Sequence, residues 1–216
     1  MSIKIWNADK PKDLPRISKN IHGLLEDFNN IPRSQILQSQ LLAWHSRIYM
    51  GCQVPNDNYL GQFRGDPIDP DLEQYRIRVG NSKEGVWPEM VQQSMDELFI
   101  RLNTSFAYLD GFIPDLAQSA DQVAEVLRLT GLAHGELIRI HPFVNGNGRI
   151  ARLLANYISL RYGIPAFVAI KPRPMGVTYV AAAEKSLGHP PKFQGDHTAT
   201  IAVFHNMLAE QLKENG

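Results

Sequence analysis

Hydrophobic residues recur at intervals of three or four positions along much of the chain, which is the pattern of helices with one buried face. The pattern is clearest after Gly148, where five apolar residues from Ile150 to Ile158 share one helical face before Gly163 supplies a stop signal. Pro88 opens another such run, and proline is favoured in the first turn of a helix. The spacing predicts helices over residues 34–50, 88–103, 119–138, 148–162, 179–187 and 198–212.

One short segment has the two-residue alternation of a β-strand instead of a helical period. Residues 75–79 alternate bulky and basic side chains, residues 80–85 are rich in turn formers, and bulky residues resume at Val86 and Trp87. This order predicts a single β-hairpin. The preceding stretch, 54–70, contains three prolines and two glycines and is predicted to be a long loop. The predicted fold class is therefore mainly α with one β-hairpin.

Composition indicates a globular protein with one core. The chain has 216 residues, of which 44% are hydrophobic and 20% are charged, and this fits a single compact unit. Its 22 basic residues cancel its 22 acidic ones, which argues against the basic field that drives non-specific binding to nucleic acids or membranes. A single cysteine, Cys52, cannot form an internal disulfide, so a reducing compartment is expected. No secretory signal or bilayer-length apolar run is visible, and we expect a cytoplasmic location.

The charges that cancel over the whole chain do not cancel locally. No aspartate or glutamate lies between Glu136 and Glu184, whereas that span contains six arginine or lysine residues. Such a run is often a solvated face whose counter-charges come from distant segments. The sequence at its centre favours an anion-binding site instead, and reads His141-Pro-Phe-Val-Asn145-Gly-Asn-Gly-Arg149-Ile-Ala-Arg152.

The predicted helix 148–162 begins inside this motif, so the positive end of a helix dipole coincides with glycine-rich backbone. Gly146 and Gly148 let the backbone approach a ligand closely, and the first amides of the helix have no internal partner, which together make a nest for phosphate. Arg149 and Arg152 lie on neighbouring positions of one helix face, so two guanidinium groups can bind successive phosphates. His141 can accept a proton near neutral pH and is the candidate general base.

Two other phosphate-binding motifs fit the sequence less well. No Gly-x-x-x-x-Gly-Lys-Ser/Thr loop is present, which argues against a P-loop enzyme. The run Gly146-x-Gly148-x-x-Ala151 matches a relaxed dinucleotide-binding fingerprint, but a Rossmann fold requires a preceding strand and usually an acid about 20 residues later. Here a predicted helix precedes the motif, and the next acid is Glu184.

The segment His-Pro-Phe-x-x-Gly-Asn-Gly-Arg that starts at His141 resembles the signature of the Fic (Fido) family. The resemblance extends to Ala133-His134, Gly61-Gln-Phe-Arg64, Tyr179 and Gly195-Asp196, and covers most of residues 34–210. It implies a Fic-like helical core with a β-hairpin flap over residues 34–216, and an N-terminal extension, residues 1–33, packed on that core. It also implies transfer of a nucleoside monophosphate, usually AMP from ATP, to a serine, threonine or tyrosine hydroxyl of a target protein.

The same resemblance implies a role for each residue of the motif. His141 would deprotonate the hydroxyl that attacks the α-phosphorus of ATP. Phosphate oxygens would be held by Gly146, Asn147, Gly148, Arg149 and Arg152, with the two arginines on the more distal phosphates. The hairpin would be a flap that docks the target chain by strand pairing. The expected flap residues are Tyr75, Ile77, Val79, Val86 and Trp87.

The sequence departs from the family pattern in two places. The family usually has aspartate or glutamate where this chain has Asn145, and that acid is the expected ligand of the Mg²⁺ that bridges the phosphates. Because hard cations prefer carboxylates, Asn145 predicts a weakly bound or ATP-carried Mg²⁺ and weakened catalysis. Many family members also carry an inhibitory helix with the pattern Ser/Thr-x-x-x-Glu-Gly/Asn. The partial match that ends at Glu214-Asn215 makes Glu214 a candidate inhibitory partner of Arg152.

Other functions stay open on the sequence alone. A family member that binds the nucleotide in the reverse orientation would be a phosphotransferase, which transfers the γ-phosphate instead of AMP. Loss of the acid at position 145 would instead leave a nucleotide-binding or partner-binding module without turnover. Nucleic-acid binding is disfavoured by the net charge of zero, and no membrane partner is expected. A homodimer or an antitoxin-like partner is compatible with the resemblance.

Overall fold

The computed structural model describes residues 5–28, 33–79, 83–174 and 177–214. Within them the chain forms eight α-helices and one antiparallel two-stranded hairpin, which confirms the predicted fold class. The helices are α1 (Leu14–Asp27), α2 (Gln38–Ile48), α3 (Pro70–Glu73), α4 (Pro88–Phe112), α5 (Ala120–Ile140), α6 (Asn147–Arg161), α7 (Val177–Ser186) and α8 (Thr198–Glu214). The strands are β1 (Arg78–Val79) and β2 (Lys83–Glu84). None of the described helices is long and apolar enough to cross a membrane.

Helices α5 and α6 form the centre of the fold. Helix α5 packs against α4, α6, α7 and α8, and α6 also contacts α1 and α2. Gly131 lets α8 approach α5 closely, because a Cβ at this position would lie 2.7 Å from Cγ1 of Ile201. The glycine that lowers the helix propensity of α5 is thus required for packing. Residues 141–146 join these two central helices and carry the motif around His141.

The N-terminal segment belongs to the same core as the rest of the chain. Helix α1 buries Ile17, Ile21 and Leu24, which recur at helical spacing, and Trp6 is buried ahead of it. This helix was not among those predicted, although Pro15 in its first turn and the spacing of its apolar residues are helix signals. All six predicted helices are present in the structure, with α4 longer than expected because Phe106 and Leu109 extend its buried face.

The second strand of the hairpin lies earlier in the chain than predicted. The strand that pairs with β1 is β2, which ends at Glu84. The prediction that Val86 and Trp87 lie in this strand is therefore wrong. Val86 is fully buried, and its N–H donates to the carbonyl of Arg139 on α5 at 3.3 Å. Trp87 is the N-cap residue of α4. Contact with the core helices, rather than strand pairing, determines the conformation of these two residues.

The other expected flap residues lie at or before the first strand. Val79 is in β1, whereas Tyr75 and Ile77 precede it in non-helical backbone. Half of the predicted turn, residues 80–82, lies outside the described residues, and residues 83–84 form β2.

Candidate active site

His141 ends α5 in a left-handed backbone conformation. Its φ of 54° and ψ of 55° are uncommon for a residue that carries a Cβ and cost about 1–2 kcal/mol. Its ring Nδ1 lies 3.0 Å from the carbonyl oxygen of Ile138. Because a carbonyl oxygen can only accept a hydrogen bond, Nδ1 carries the proton and Nε2 keeps a free lone pair.

The surroundings of His141 favour the neutral ring. Burial lowers the pKa of His141 from its usual 6.5 to about 4, and the nearby charge of Arg64 lowers it too, while the hydrogen bond to Ile138 acts in the opposite direction. The ring is therefore neutral at physiological pH. A neutral ring with an unprotonated Nε2 is the form that can act as a general base.

Arg64 is a buried cation that joins the hairpin to the end of α5. Its side chain is 1% exposed. The guanidinium donates to four backbone carbonyls, those of His141 (2.7 Å), Tyr75 (2.8 Å), Val86 (2.9 Å) and Ile140 (3.1 Å). A cation is favoured there, because the last carbonyls of a helix carry the negative end of its dipole. Arg64 thus holds both ends of the hairpin against the backbone of His141.

The Asn147 side chain holds the motif loop together. Its Oδ1 accepts from the N–H of Phe143 at 2.8 Å, and its Nδ2 donates to the carbonyl of the same residue at 2.7 Å. Both ends of the amide are used in this clamp. In this structure the Asn147 side chain stabilises the loop between α5 and α6, and its role in holding phosphate oxygens stays a prediction.

His45 fixes the same loop from α2. The N–H of Gly61 donates to Nδ1 at 3.0 Å, so Nε2 carries the proton and donates to the carbonyl of Asn145 at 2.9 Å. The imidazole stacks on Phe143 with ring centroids 4.0 Å apart and planes 2° apart. Burial lowers the pKa of His45 to about 4, which keeps this ring neutral. No local sequence pattern marks His45, because its partners lie 16 to 100 positions away along the chain.

Replacing His45 with phenylalanine is expected to destabilise the fold by about 2 kcal/mol or more. The stacking on Phe143 would remain, whereas the N–H of Gly61 and the carbonyl of Asn145 would each be left unpaired at a cost of about 1–3 kcal/mol. Urea unfolding measures the change, with His22→Phe as a control at a side chain that is 76% exposed. Equal stability of the two variants would show that these bonds contribute nothing.

Helix α6 is capped at its start by Gly146, where both the backbone conformation and the surroundings disfavour a side chain. Gly146 has φ of 83°, and a Cβ there would lie 2.4 Å from the hydroxyl of Tyr49. Its carbonyl accepts from the N–H of Arg149 at 2.9 Å, so the N–H groups of Asn147 and Gly148 come before the first donor of the helix and have no acceptor within it. The start of α6 therefore offers the polarised amides expected of an anion site.

An open cavity of about 500 Å³ lies at this end of α6. Its lining residues are Asp9, Asn145, Gly146, Gly148, Arg149, Arg152, Lys171, Pro172 and Arg173. Four of these side chains are cationic and one is acidic. The structure thus brings Gly146, Gly148, Arg149 and Arg152 together around one space, whereas His141 and Asn147 are not part of its lining.

Arg152 is fixed in direction by α7 and by the loop before it. Its Nη1 donates to the hydroxyl of Tyr179 at 3.1 Å, and its Nη2 donates to the carbonyl of Ile170 at 3.0 Å. The Tyr179 hydroxyl in turn lies 2.9 Å from Nε2 of His134, whose pKa burial lowers to about 3. A guanidinium held in place in this way loses less freedom when it binds a ligand.

The N-terminal strap, residues 5–9, brings an acid into the cavity. The carboxylate of Asp9 pairs with Nη2 of Arg149 and accepts from Nζ of Lys171 at 2.7 Å. Partial burial raises the pKa of Asp9, but the hydrogen bond from Lys171 and the charge of Arg149 outweigh it, and the net pKa is below its usual value. Trp6 anchors the strap, with its ring centroid 4.6 Å from that of Tyr49. The carboxylate lies where an external anion would meet these cations.

Replacing Asp9 with asparagine is expected to tighten ATP binding about tenfold, which corresponds to about 1.4 kcal/mol. The physical reason is that phosphate would no longer compete with a carboxylate for Arg149 and Lys171. Calorimetric titration with ATP measures the change, and Asp57→Asn is a control at an exposed acid outside the cavity. Weaker binding by the Asp9 variant would show that this carboxylate assists the ligand.

Comparison with known proteins identifies the family. Residues 35–159 match the family model described as Fic/DOC family, which is more than half of the chain. The chain belongs to the Fic/DOC family.

Among its curated relatives, the protein adenylyltransferase fic-1 of Caenorhabditis briggsae is 31% identical over 116 residues, 47% of this chain and 20% of that protein. Protein adenylyltransferase Fic of Drosophila melanogaster is 52% identical over 40 residues, 18% of this chain and 8% of that protein. The chain thus spans a fifth or less of the length of these relatives.

Solved structures share the Fic fold. The BepC protein of Bartonella tribocorum, with bound AMPPNP, superposes with a TM-score of 0.64 and 15% identity, covering 93% of this chain and 88% of that one. IbpAFic2 covalently tethered to Cdc42 gives a TM-score of 0.62 at 17% identity, covering 94% of this chain and 58% of that one. At these identities the similarity shows the fold.

The residues around this Fic motif do not fit a protein-held Mg²⁺. Oδ1 of Asn145 accepts from the N–H of Gly146 at 2.6 Å, and Nδ2 donates to the carbonyl of Trp6 at 2.8 Å. In this structure Asn145, the predicted metal ligand, instead anchors the N-terminal strap. The one carboxylate of the cavity, Asp9, is paired with two cations. Across the described residues, no group of three or more histidine, cysteine, aspartate or glutamate side chains is placed to hold a metal ion.

The proposed inhibitory pair between Glu214 and Arg152 is not formed. The guanidinium of Arg152 bonds to Ile170 and Tyr179 instead. Glu214 is the last residue of α8 and lines a separate cavity of about 620 Å³ beside α1. The two cavities share the side chain of Lys171.

The hairpin of this Fic fold packs directly on His141. A Cβ at Gly85 would lie 2.6 Å from Cβ of His141 and 3.1 Å from Cγ2 of Ile77, so the backbone that leaves β2 passes close to the histidine. Lys83 donates to the carbonyl of Glu184 on α7. The hairpin therefore borders the candidate base on one side and α7 on the other.

Proposed function

We propose that this chain transfers AMP from ATP to a hydroxyl group of a target protein. The observation that carries the proposal is the neutral His141 ring, with Nε2 unprotonated, a few residues before a helix start that opens on a cationic cavity. The relatives named protein adenylyltransferases support AMP transfer as the activity. The bound AMPPNP of the structural neighbour BepC supports a nucleotide as the ligand.

The reaction needs a base for the attacking hydroxyl. Nε2 of His141 takes the hydroxyl proton while the oxygen forms a bond to the α-phosphorus of ATP. The bond between that phosphorus and the oxygen bridging to the β-phosphate breaks, and pyrophosphate leaves. The bond from Nδ1 to Ile138 keeps the ring in the tautomer that this proton transfer requires.

Negative charge develops on the phosphates during the reaction, and groups other than the base must stabilise it. General-base catalysis contributes about two to four powers of ten, and donors that are oriented before the reaction usually contribute the larger share. The amides at the start of α6 and the guanidinium of Arg152 are oriented in this way. Arg149 becomes available when the phosphates replace Asp9.

The hairpin is our proposed docking element for the target protein. Within the described residues β1 pairs only with β2, so strand addition along the hairpin is open to an extended target segment. Tyr75, Ile77 and Val79 are the residues next to that segment in the proposal, and the buried Val86 and the partly buried Trp87 form the base of the hairpin. The structural neighbour tethered to Cdc42 supports a protein as the target class.

Two labelled forms of ATP test the proposal. The full chain is incubated with a host lysate and ATP labelled either at the α- or at the γ-phosphate, with His141→Ala as the control. Label from the α-phosphate that the parent adds and His141→Ala does not supports AMP transfer. Label from the γ-phosphate that likewise depends on His141, above what the kinases of the lysate add, would show a phosphotransferase instead.

A binding module without turnover is the second candidate, and Asn145 favours it. Position 145 provides an amide, used to anchor the strap, where the family usually has an acid. ATP binding measured by calorimetry, together with the absence of label in every target, would establish this function.

A further inference from the structure

We infer that the cavity binds the phosphates of a nucleoside triphosphate in metal-free form, with arginine and lysine side chains supplying the charge that a protein-held Mg²⁺ would supply. The inference rests on the proposed function, because it takes the cavity to be the nucleotide site. It goes further by stating the ionic form of the ligand that the site accepts.

The oxygen donors in the cavity are already used by other groups. The oxygen of the Asn145 side chain accepts from the N–H of Gly146 at 2.6 Å, and the opposite end of the same amide holds the strap at Trp6. Turning the oxygen toward a cation would break both bonds. A hard cation also prefers carboxylates and usually needs one or two of them when it bridges phosphates.

The only carboxylate among the lining residues is bound by cations. Asp9 pairs with Arg149 and Lys171, so its charge is compensated within the protein. When phosphates take over these two cations, the strap carboxylate and the phosphates repel each other. Asp9 therefore leaves the position at which the ligand binds. A metal ion held between Asp9 and the phosphates would have to displace Arg149 and Lys171 from the carboxylate.

The cations of the cavity match the needs of a bare polyphosphate. Arg149 and Arg152 come from the first turns of α6, and Lys171 and Arg173 come from the loop before α7, so positive charge lies on two sides of the space. Guanidinium forks bind phosphate oxygens in pairs, and an ammonium acts as a point charge. A divalent cation placed among these four groups would be repelled by each of them.

Calorimetric titration of the full chain with ATP, in EDTA and then in excess MgCl₂, tests the inference. We expect the dissociation constant in EDTA to lie within about threefold of that in Mg²⁺, or below it. ATP binding that is weaker in EDTA by more than about threefold overturns the inference and leaves the proposed function standing. The absence of binding in both solutions overturns the proposed function and the inference with it.

Two variants separate the contributions of metal and side chain. Asn145→Asp adds a carboxylate, so ATP should bind more weakly in EDTA, and Mg²⁺ should restore the affinity. Lys171→Gln, made in the Asp9→Asn background so that no carboxylate loses its partner, should weaken binding about tenfold in both solutions. Lys192→Gln in the same background is the matched control at an exposed lysine outside the cavity. Equal affinities of the Lys171 and Lys192 variants would overturn the role of the cations.

Discussion

His141→Ala is expected to lower the rate of AMP transfer by about two to four powers of ten while leaving ATP affinity unchanged. The rate falls because no other group takes the proton of the attacking hydroxyl. The affinity is retained because the histidine is not part of the cavity lining. Single-turnover transfer and calorimetric titration of the same preparations measure the two quantities. His189→Ala, at an exposed histidine, is the matched control.

The pH dependence of transfer gives a second test of the same residue. The base must be unprotonated, so activity is lost as the pH falls through the pKa of the ring. Burial lowers that pKa to about 4, and kcat/KM of the free enzyme should therefore stay level from neutral pH down to about pH 5 and fall near pH 4. An acid limb centred near 6.5 would mean that His141 is exposed to water in the active form.

Arg64→Met is expected to destabilise the protein by about 3–5 kcal/mol. Methionine fills similar volume but leaves four backbone carbonyls of the hairpin and of α5 without their shared donor. Burial lowers the pKa of Arg64 to about 10, so the side chain is still charged at neutral pH and its bonds are charge-assisted. Arg64→Lys should recover part of the loss, because an ammonium has donors but not the planar fork.

The unfolding free energy in urea measures this prediction. Arg78→Met is the control, since Arg78 is exposed on β1 and surface substitutions usually stay within about 0.5 kcal/mol. If Arg64→Met unfolds at the same urea concentration as the control, the four bonds do not join the hairpin to α5 as described.

The parts of the site that follow from the sequence are those built by neighbouring residues. Glycines at 146 and 148, the apolar spacing after them and the adjacent arginines indicate where α6 starts, and these signals act within a few residues. Val86 shows the limit of this reasoning. Its position after the turn-forming residues predicts a strand, but its N–H bonds to α5 and its side chain is buried, so tertiary contact overrides the local pattern.

The site residues that no sequence pattern marks form hydrogen bonds with partners far away along the chain. Asp9 reaches Arg149 across 140 positions, and His45 reaches the loop across 100. No local pattern marks such residues, because each resembles an ordinary polar residue until the fold brings its partners together. The anchoring role of Asn145 is not visible in the sequence for the same reason, since its partner Trp6 lies 139 positions away.

A crystal structure of the full chain with a non-hydrolysable ATP analogue would show whether the phosphates bind between the start of α6 and His141. We expect phosphate oxygens on the amides of Asn147 and Gly148 and on the guanidinium groups of Arg149 and Arg152, with the α-phosphate nearest to Nε2 of His141. Asp9 should have left Arg149 in that complex. An analogue whose phosphates lie away from the start of α6, or whose α-phosphate is remote from His141, would show that this cavity and His141 do not form one active site.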